Sequence, residues 1–400
     1  MTDMRQKVQQ IFEAGVQAAD PVAAVTRHLD QVTRPALIIA FGKAAHGMAA
    51  AALARFTGVP AIVVTNYENT APLAGADVYA AGHPVPDQNG AAAAQAVIAV
   101  LQKVQGPVLA LVSGGGSALL PAPAGALTLA DKIAVNRLLL ASGLDIGAMN
   151  LIRQQLSDIK GGGLLRHAAP HPVTALILSD VIGDDLGAIV SGPTAPPIGT
   201  PEQARFLLAK AGLWDALPPS VRDHLEQAHP ASDLPAARNI LIGSNGQSVA
   251  AMAKEAGQAF VIPAPVTGDV ADAATLICDH AKPGIVLWGG ETTVTLKGNG
   301  RGGRNQELAL RIALEARRRG WRNWTCLQAG SDGRDGPTDA AGGITNQDTL
   351  ARIADVAGLL ANNDSYAALA QADALLLTGA TGTNVADLGV LIWQDDDDTD

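Results

Sequence analysis

The chain has 400 residues, 48% of them hydrophobic and 16% charged, which describes a compact globular protein of two or three domains and excludes a disordered one. A net charge of −10 and an aromatic content of 3% argue against nucleic acid as the main partner, because phosphate neutralisation and base stacking both lack their residues. Two cysteines, Cys278 and Cys326, build neither a disulfide framework nor a zinc site, MTDMRQKVQQ at the start lacks the apolar core of a signal peptide, and no apolar run is long enough to span a bilayer, so a cytoplasmic protein without a membrane partner is expected.

Residues 4–30 read as an amphipathic helix pair, broken and restarted at Asp20-Pro21. Residues 37–41 form a short buried strand that ends in Gly42-Lys43, and a helix follows over 44–55. Strands come next over 61–65 and 78–80, the second closed by GHPVPD. An alanine-rich helix over 91–102 leads to a strand over 108–112 that ends in SGGGSALL. Strand, glycine-rich turn and helix repeat, which is the rhythm of a layered α/β domain with parallel strands. Ligands of such sheets sit outside the carboxyl ends of the strands, so Lys43, Ser113 and Ser117 are placed on one rim. A helix over 129–140 and the run NLIRQQLSDIKGGGLL precede a strand over 173–178, which discharges into SDVIGDDLGAIVSGPT. A proline-rich loop spans 193–201, helices continue to around residue 228, and HPASDLPAA marks a domain border.

Beyond the border the rhythm repeats. Strands are expected over 239–242, 260–262 and 285–288, with helices over 247–256 and 271–280. The stretch KGNGRGGRNQELALRIAL, residues 297–314, then runs four glycines and two arginines straight into an apolar helix. Glycines let backbone N–H groups converge, a helix start adds unpaired N–H groups and the positive dipole end, and Arg301 and Arg304 add charge, so an anion site is expected here. The alternative is a turn with solvated arginines. Gly298, Gly300 and Gly303 also satisfy G-x-G-x-x-G. The preceding ETTVTLK alternates, however, where a dinucleotide-binding first strand is a continuous apolar run. Further strands over 324–328, 375–377 and 389–393 are followed or preceded by AGSDGRDGPTDAAGG and TGATGTNVADL, and no fixed-period repeat is visible.

Two carboxylate clusters follow strands: Asp180, Asp184 and Asp185, then Asp332, Asp335 and Asp339. On glycine-rich loops such groups suit magnesium or a base that accepts a hydroxyl proton, and they also suit plain Asx-turns. SGGGS at 113–117 and TGATGTN at 378–384 are further anion-cradle candidates. Lys43 lies outside any Walker A motif but is a natural phosphate partner at a strand end. His46 and His83 have no ligand-like spacing, and G-x-S-x-G is absent, which leaves a hydrolase without support.

Together GKAAHGMA, GHPVPD, SGGGSALLPAP, LSDIKGGGLL, SDVIGDDLGAIVSGPT, GGETTVTLKGNGRGGRNQELAL, AGSDGRDGPTDAAGG and TGATGTNVADL resemble the glycerate 2-kinase family. Its C-terminal part is the MOFRL domain, and it also carries the label hydroxypyruvate reductase of the tartrate-utilisation type. The resemblance covers residues 42–391. It implies an α/β protein of two domains, a Rossmann-like one over 1–230 and a MOFRL one over 237–394, with an acidic tail at 395–400 and the site in the cleft between the domains. It implies transfer of the γ-phosphoryl group of ATP to the 2-hydroxyl of D-glycerate, with Mg2+. Lys43, Arg304 and Asp184 or Asp185 are the catalytic residues this implies, and Asp184 and Asp332 the metal ligands. Substrate or nucleotide contacts fall on Ser113, Gly114, Gly115, Gly116, Ser117, Lys160, Asn245 and Glu291. They continue through Arg301, Gly302, Gly303, Asp335, Thr381 and Asn384. The chain departs from the family pattern at Gln154 and Gln155, where a basic residue or histidine is frequent, at Arg334, and at Ala380. The alternative activity is reduction of hydroxypyruvate with NAD(P)H, and a third reading is a binding protein that senses a small hydroxy acid. Expected partners are D-glycerate and ATP, with a homodimer allowed.

Overall fold

The computed structural model describes residues 2–227, 234–235 and 237–394. The chain divides into two units, one of Pro21–Ile242 and one of Met1–Asp20 with Gly243–Asp400. This differs from the expected division into 1–230 and 237–394. The helix Thr2–Ala18 belongs to the second unit, where its Val8, Ile11 and Phe12 are buried with Val249, Met252 and Leu388. An amphipathic stripe reports that a helix covers a core without reporting which core. Most of HPASDLPAA and the acidic tail 395–400 lie outside the described residues.

The described residues of the first unit form a six-stranded sheet from β1 (Leu37–Phe41), β2 (Ala61–Asn66), β3 (Ala76–Ala81), β4 (Val108–Ser113), β5 (Val173–Leu178) and β6 (Ala237–Gly243). The order is β3-β2-β1-β4-β5-β6, and β1 to β5 pair in parallel. This is the doubly wound, Rossmann-like order. Every residue of β1, β2 and β4 is buried, as parallel strands covered on both faces require, and LIIAF and VLALV supply the continuous apolar runs. The last strand, expected to open the second domain, instead forms the edge beside β5. Beside the sheet, the helices Leu129–Ala141, Ile146–Gln155, Pro201–Lys210 and Pro219–Glu226 share a core of Val135, Leu139, Ile152, Leu208 and Val221.

The second unit carries β7 (Phe260–Val261), β8 (Val266–Asp269), β9 (Gly284–Thr293), β10 (Trp324–Gly330), β11 (Gly342–Asn346), β12 (Leu375–Leu376) and β13 (Asp387–Trp393). Their order is β12-β11-β10-β13-β9-β7, with β8 on β9. The expected parallel repeat gives way here to a mixed sheet. The last strand, β13, inserts antiparallel between β9 and β10, and β10-β11 and β11-β12 are also antiparallel. β10 is nonetheless buried throughout, because apolar clusters cover the sheet, one built with the first helix and Asn245–Ala256, another with Val270–His280 and Arg304–Arg318. A continuous apolar run records burial on two faces and is silent on strand direction. The short β8 and the glycine-rich β11 had no sequence signal. The segment ETTVTLK ends β9 at Thr293 and then leaves the sheet.

Candidate functional site

In the first unit β1 and β4 are neighbours, while the chain leaves β1 towards β2 and β4 towards β5 on the other side. Their connections therefore diverge and open a crevice at the carboxyl ends. Gly42-Lys43 follow β1, Ser113–Ser117 close β4, and Ser179-Asp180 follow β5. Backbone hydrogen bonds lock the first two together: Lys43 N donates to Gly114 O at 2.9 Å and Ala44 N to Ser113 Oγ at 3.1 Å. Asn69 Nδ2 donates to Lys43 O at 3.0 Å, which fixes the lysine at the rim. The Asp180 carboxylate lies so close to Gly114 that a Cβ there would overlap it. Burial pushes the Asp180 carboxyl above its usual range, and its own backbone N–H, the Lys43 charge and the Gly115 N–H pull it back. Lys43, Ser113, Gly114, Gly115 and Gly116 are thus brought together, with Asp180 as the carboxylate at the sheet. Asp185 is exposed and its Oδ1 accepts from Gly187 N at 2.8 Å, an Asx-type turn bond. Asp184 is half-buried in a left-handed turn at φ 55°.

Ser117 extends this rim. Its Oγ receives Lys160 Nζ at 3.2 Å and lies 3.2 Å from Ser191 Oγ. Ser117 and Lys160 line a cavity of about 180 Å³ with Lys132 and Arg153. Gln154 is buried outside that lining: its amide donates to Ser191 O at 3.1 Å and Gly187 O at 3.3 Å and accepts from Ile198 N at 2.9 Å. Gln155 donates to Gly199 O at 3.0 Å. Both glutamines hold the 187–199 segment, so the departure from the family pattern there acts on a loop rather than on a ligand contact.

In the second unit the glycine-rich stretch has its donors occupied by the chain itself. The N–H groups of Lys297 and Gly298 donate to Asn363 Oδ1 at 2.7 and 3.0 Å, Asn299 N to Asn362 Oδ1 at 3.1 Å, Gly300 N to Asn362 O at 2.8 Å, and Arg301 N to Asp364 Oδ1 at 3.1 Å. The helix Arg304–Arg318 starts at Gly303, which has no side chain to cap it. Asp335 supplies the cap from a distant loop, accepting from Asn305 N at 3.1 Å and Gln306 N at 2.8 Å. A Cβ on Gly303 would overlap that carboxylate. The donors expected to face a bound anion are taken within the chain, the loop by Asn362, Asn363 and Asp364 and the helix start by Asp335, and the dinucleotide reading of Gly298, Gly300 and Gly303 loses its support. Burial, opposed by the two N–H donors, aided by the nearby Asp387 and opposed by the Arg304 charge, raises the Asp335 carboxyl to about 6.

Arg304 Nε and Nη2 grip Asp387 at 2.7 and 3.0 Å, and Nη2 also reaches Glu291 Oε1 at 3.2 Å. Burial alone would weaken this guanidinium's charge, but the bonds to Asp387 hold its pKa above the usual range. The Nη1 edge makes no hydrogen bond to a described residue. Asn245 Nδ2 is spent on the carbonyls of Val385 and Asp387 at 2.8 and 2.9 Å, so it anchors the start of β13. Arg301, exposed, stacks 4.4 Å over Tyr366 and pairs with Asp339 at 3.5 Å. With Arg334, Thr338, Gly333 and Gly379 it lines a cavity of about 490 Å³. Gly302 packs against Ser365. Thr381 Oγ1 donates to Ser331 O at 2.6 Å and Asn384 Oδ1 accepts from Ala386 N at 3.2 Å; both build the turn beside that cavity. Asp332 Oδ1 accepts from Arg334 N at 3.0 Å, and its charge helps keep the buried Asp387 carboxyl raised, after burial itself. Among the described residues no three His, Cys, Asp or Glu side chains group as a metal site. Magnesium commonly uses only one or two carboxylates beside substrate phosphates, and Asp332 is suited to that: a cation beside it relieves the repulsion it exerts on Asp387.

Sequence reasoning did not single out Asp387, Lys132 or Arg153: Lys132 lies outside every glycine-rich motif, while Asp387 in TGATGTNVADL and Arg153 in NLIRQQLSDIKGGGLL sit inside quoted stretches whose glycines and other residues drew the functional reading. Asp180 was visible in its cluster, and its place directly after β5 distinguishes it from Asp184 and Asp185. No helix among the described residues is long and apolar enough to cross a membrane.

Residues 7–226 match the model of a domain of unknown function, DUF4147, and residues 284–387 match the MOFRL family. A relative from Thermotoga maritima named D-glycerate 2-kinase is 38% identical, over 95% of this chain and 96% of its own. A relative from Agrobacterium vitis with the provisional name hydroxypyruvate reductase is also 38% identical, over 97% of this chain and 94% of its own. The crystal structure of a glycerate kinase from Thermotoga maritima superposes with a TM-score of 0.89 at 36% identity, covering 98% of this chain and 100% of that one. With both domain models in order and full-length relatives at this identity, the chain belongs to the glycerate 2-kinase family, in which a DUF4147 domain precedes a MOFRL domain.

Proposed function

We propose that this protein is a glycerate 2-kinase, a phosphotransferase that moves the γ-phosphoryl group of ATP to the 2-hydroxyl of D-glycerate. The observation that carries this reading is the convergence of Lys43, the Ser113–Ser117 turn and Asp180 at the carboxyl ends of three adjacent parallel strands. Phosphoryl transfer needs positioning and charge neutralisation more than covalent chemistry, and this crevice offers both. Lys43 places a positive charge at the rim, where it stabilises negative charge developing on the transferred group. The Gly114–Gly116 turn brings backbone N–H groups to the same place. Asp180, whose affinity for a proton is increased by burial, is placed to accept the hydroxyl proton, with Asp184 and Asp185 as the alternatives suggested by the family motif. In the second unit the Nη1 edge of Arg304 is available to an anion while Asp387 holds the other edge. The cavity of about 490 Å³ beside Arg301 and Arg334 falls in the range of about 300–1,000 Å³ of pockets for larger ligands, which supports a nucleotide there. Bound Mg2+ would neutralise phosphate charge, with Asp332 and Asp184 as the candidates to hold it. A cytoplasmic setting goes with this chemistry.

The test is coupled ADP release with D-glycerate, ATP and magnesium, run beside NAD(P)H oxidation with hydroxypyruvate on the same preparation. ADP release dependent on D-glycerate is expected, with no oxidation of NAD(P)H. Hydride transfer without ADP release would overturn the reading.

A further inference from the structure

We propose that the cavity bounded by Lys132, Arg153 and Lys160 seats the carboxylate of the acceptor acid, and that Lys132 and Arg153 are specificity-determining residues for a small hydroxy acid. The proposal rests on the kinase reading and names the acceptor half of its site. Size comes first. A cavity of about 180 Å³ lies below the range of about 300–1,000 Å³ typical for larger ligands, so it rejects a nucleotide and admits a three-carbon acid.

Charge comes second. Lys160 is buried, Lys132 and Arg153 are half-buried, and none of the three makes an ion pair with a described residue. Burial, then the neighbouring charges of Lys132 and Arg153, push the Lys160 ammonium well below its usual range. Burial also lowers Lys132, to about 8, with Asp158 opposing the change and Arg153 adding to it. Three cations crowded together, with Asp158 as the carboxylate that acts on Lys132 but within ion-pair distance of none of them, are unfavourable, and a bound carboxylate reduces the repulsion.

Third, the donors are fixed and partly unspent. Lys132 Nζ uses one of its three hydrogens on Leu156 O at 2.9 Å, and Lys160 Nζ one on Ser117 Oγ at 3.2 Å. Arg153 is clamped by Asn136 Oδ1, at 3.0 Å from Nε and 2.7 Å from Nη2, and by Asn150 Oδ1 at 3.3 Å from Nη1. The helix bearing Lys132 and Asn136 starts with a capping box of Thr128 and Asp131, and the helix bearing Arg153 is capped by Asp145. The cations are therefore held in place before any ligand arrives, which reduces the ordering cost of binding. Ser117 joins this cavity to the turn whose Gly114 lies on Asp180, so an acid anchored here is next to the residues assigned to the transfer.

The test uses the full chain. D-glycerate and, separately, inorganic phosphate are titrated by calorimetry into nucleotide-free wild-type protein, Lys132→Met, Arg153→Met and Arg153→Lys, with a thermal melt of each. Steady-state KM values for D-glycerate and for ATP are measured on the same proteins. The expected result is D-glycerate binding that weakens about 10- to 100-fold in Lys132→Met and Arg153→Met, the size of one charge-assisted hydrogen bond. Arg153→Lys should recover part of the loss, and KM for ATP should stay within about twofold. Unchanged D-glycerate affinity in folded variants would overturn the proposal. So would a rise in KM for ATP alone, phosphate binding more tightly than D-glycerate, or no D-glycerate binding by the wild type. A wild type that binds D-glycerate through these residues yet releases no ADP would sink the kinase reading and leave the carboxylate seat standing.

Discussion

Arg304→Met should destabilise the second unit through Asp387 rather than through any lost ligand. Asp387 has a side chain only 4% exposed, and Arg304 is its one ion-pair partner among the described residues. The substitution removes hydrogen bonds of 2.7 and 3.0 Å and leaves a buried carboxylate with the Asn305 amide as its remaining side-chain donor. Breaking a buried pair on one side costs about 3–5 kcal/mol. For a unit of this size each kcal/mol shifts the midpoint by about 2–4 °C, so a fall of about 6–20 °C is expected in a thermal melt. Arg304→Met combined with Asp387→Leu should recover much of this, because no uncompensated charge remains, less about 1–3 kcal/mol for the orphaned Asn305 amide. A double-mutant cycle by urea unfolding reads the coupling directly. Arg304→Lys keeps the charge without the planar fork, so it should fall between wild type and Arg304→Met in stability and lower kcat/KM by about 10- to 100-fold. A coupling energy under about 0.5 kcal/mol with a normal melt for Arg304→Met would refute the account of Arg304 as a residue positioned by Asp387.

The Asp335 cap gives a pH prediction. Its folded-state carboxyl stands at about 6, above the unfolded value of about 3.9, so folding favours the protonated form. That stability is fully present below about pH 4 and is lost as pH rises through 6, so the stability of wild type relative to Asp335→Asn should fall by up to about 3 kcal/mol between pH 4 and pH 7. A difference independent of pH would show that the carboxyl is not perturbed. Gly114→Ala should drive a methyl group into the Asp180 carboxylate, lose about 1–3 kcal/mol to overpacking and abolish D-glycerate-dependent ADP release. A normal melt with normal turnover would remove Gly114 and Asp180 from contact.

Five of the six strands of the first sheet, and its rim, were legible in the sequence, and β6 was legible as a strand but not as a member of that sheet. LIIAF, AIVVT and VLALV could only be strands buried on both faces, and once they are parallel the residues after them, Lys43 and Ser113 to Ser117, must share the carboxyl edge. The Gly298–Arg304 stretch was legible too, as a set of N–H donors and a helix start that need acceptors. Which acceptors meet them is a matter of packing: Asn362, Asn363 and Asp364 take the loop, Asp335 folds back onto the helix start, and a list of donors does not name the groups that pack against them. The same limit hid the direction of β13, since its apolar run is compatible with either pairing, and the unit to which the first helix belongs. Lys132, Arg153 and Lys160 were legible as separate charges on separate segments. Their meeting around one cavity depends on the packing of two capped helices and a turn, because the free energy of burying like charges together is set by distance and dielectric, which no local pattern encodes.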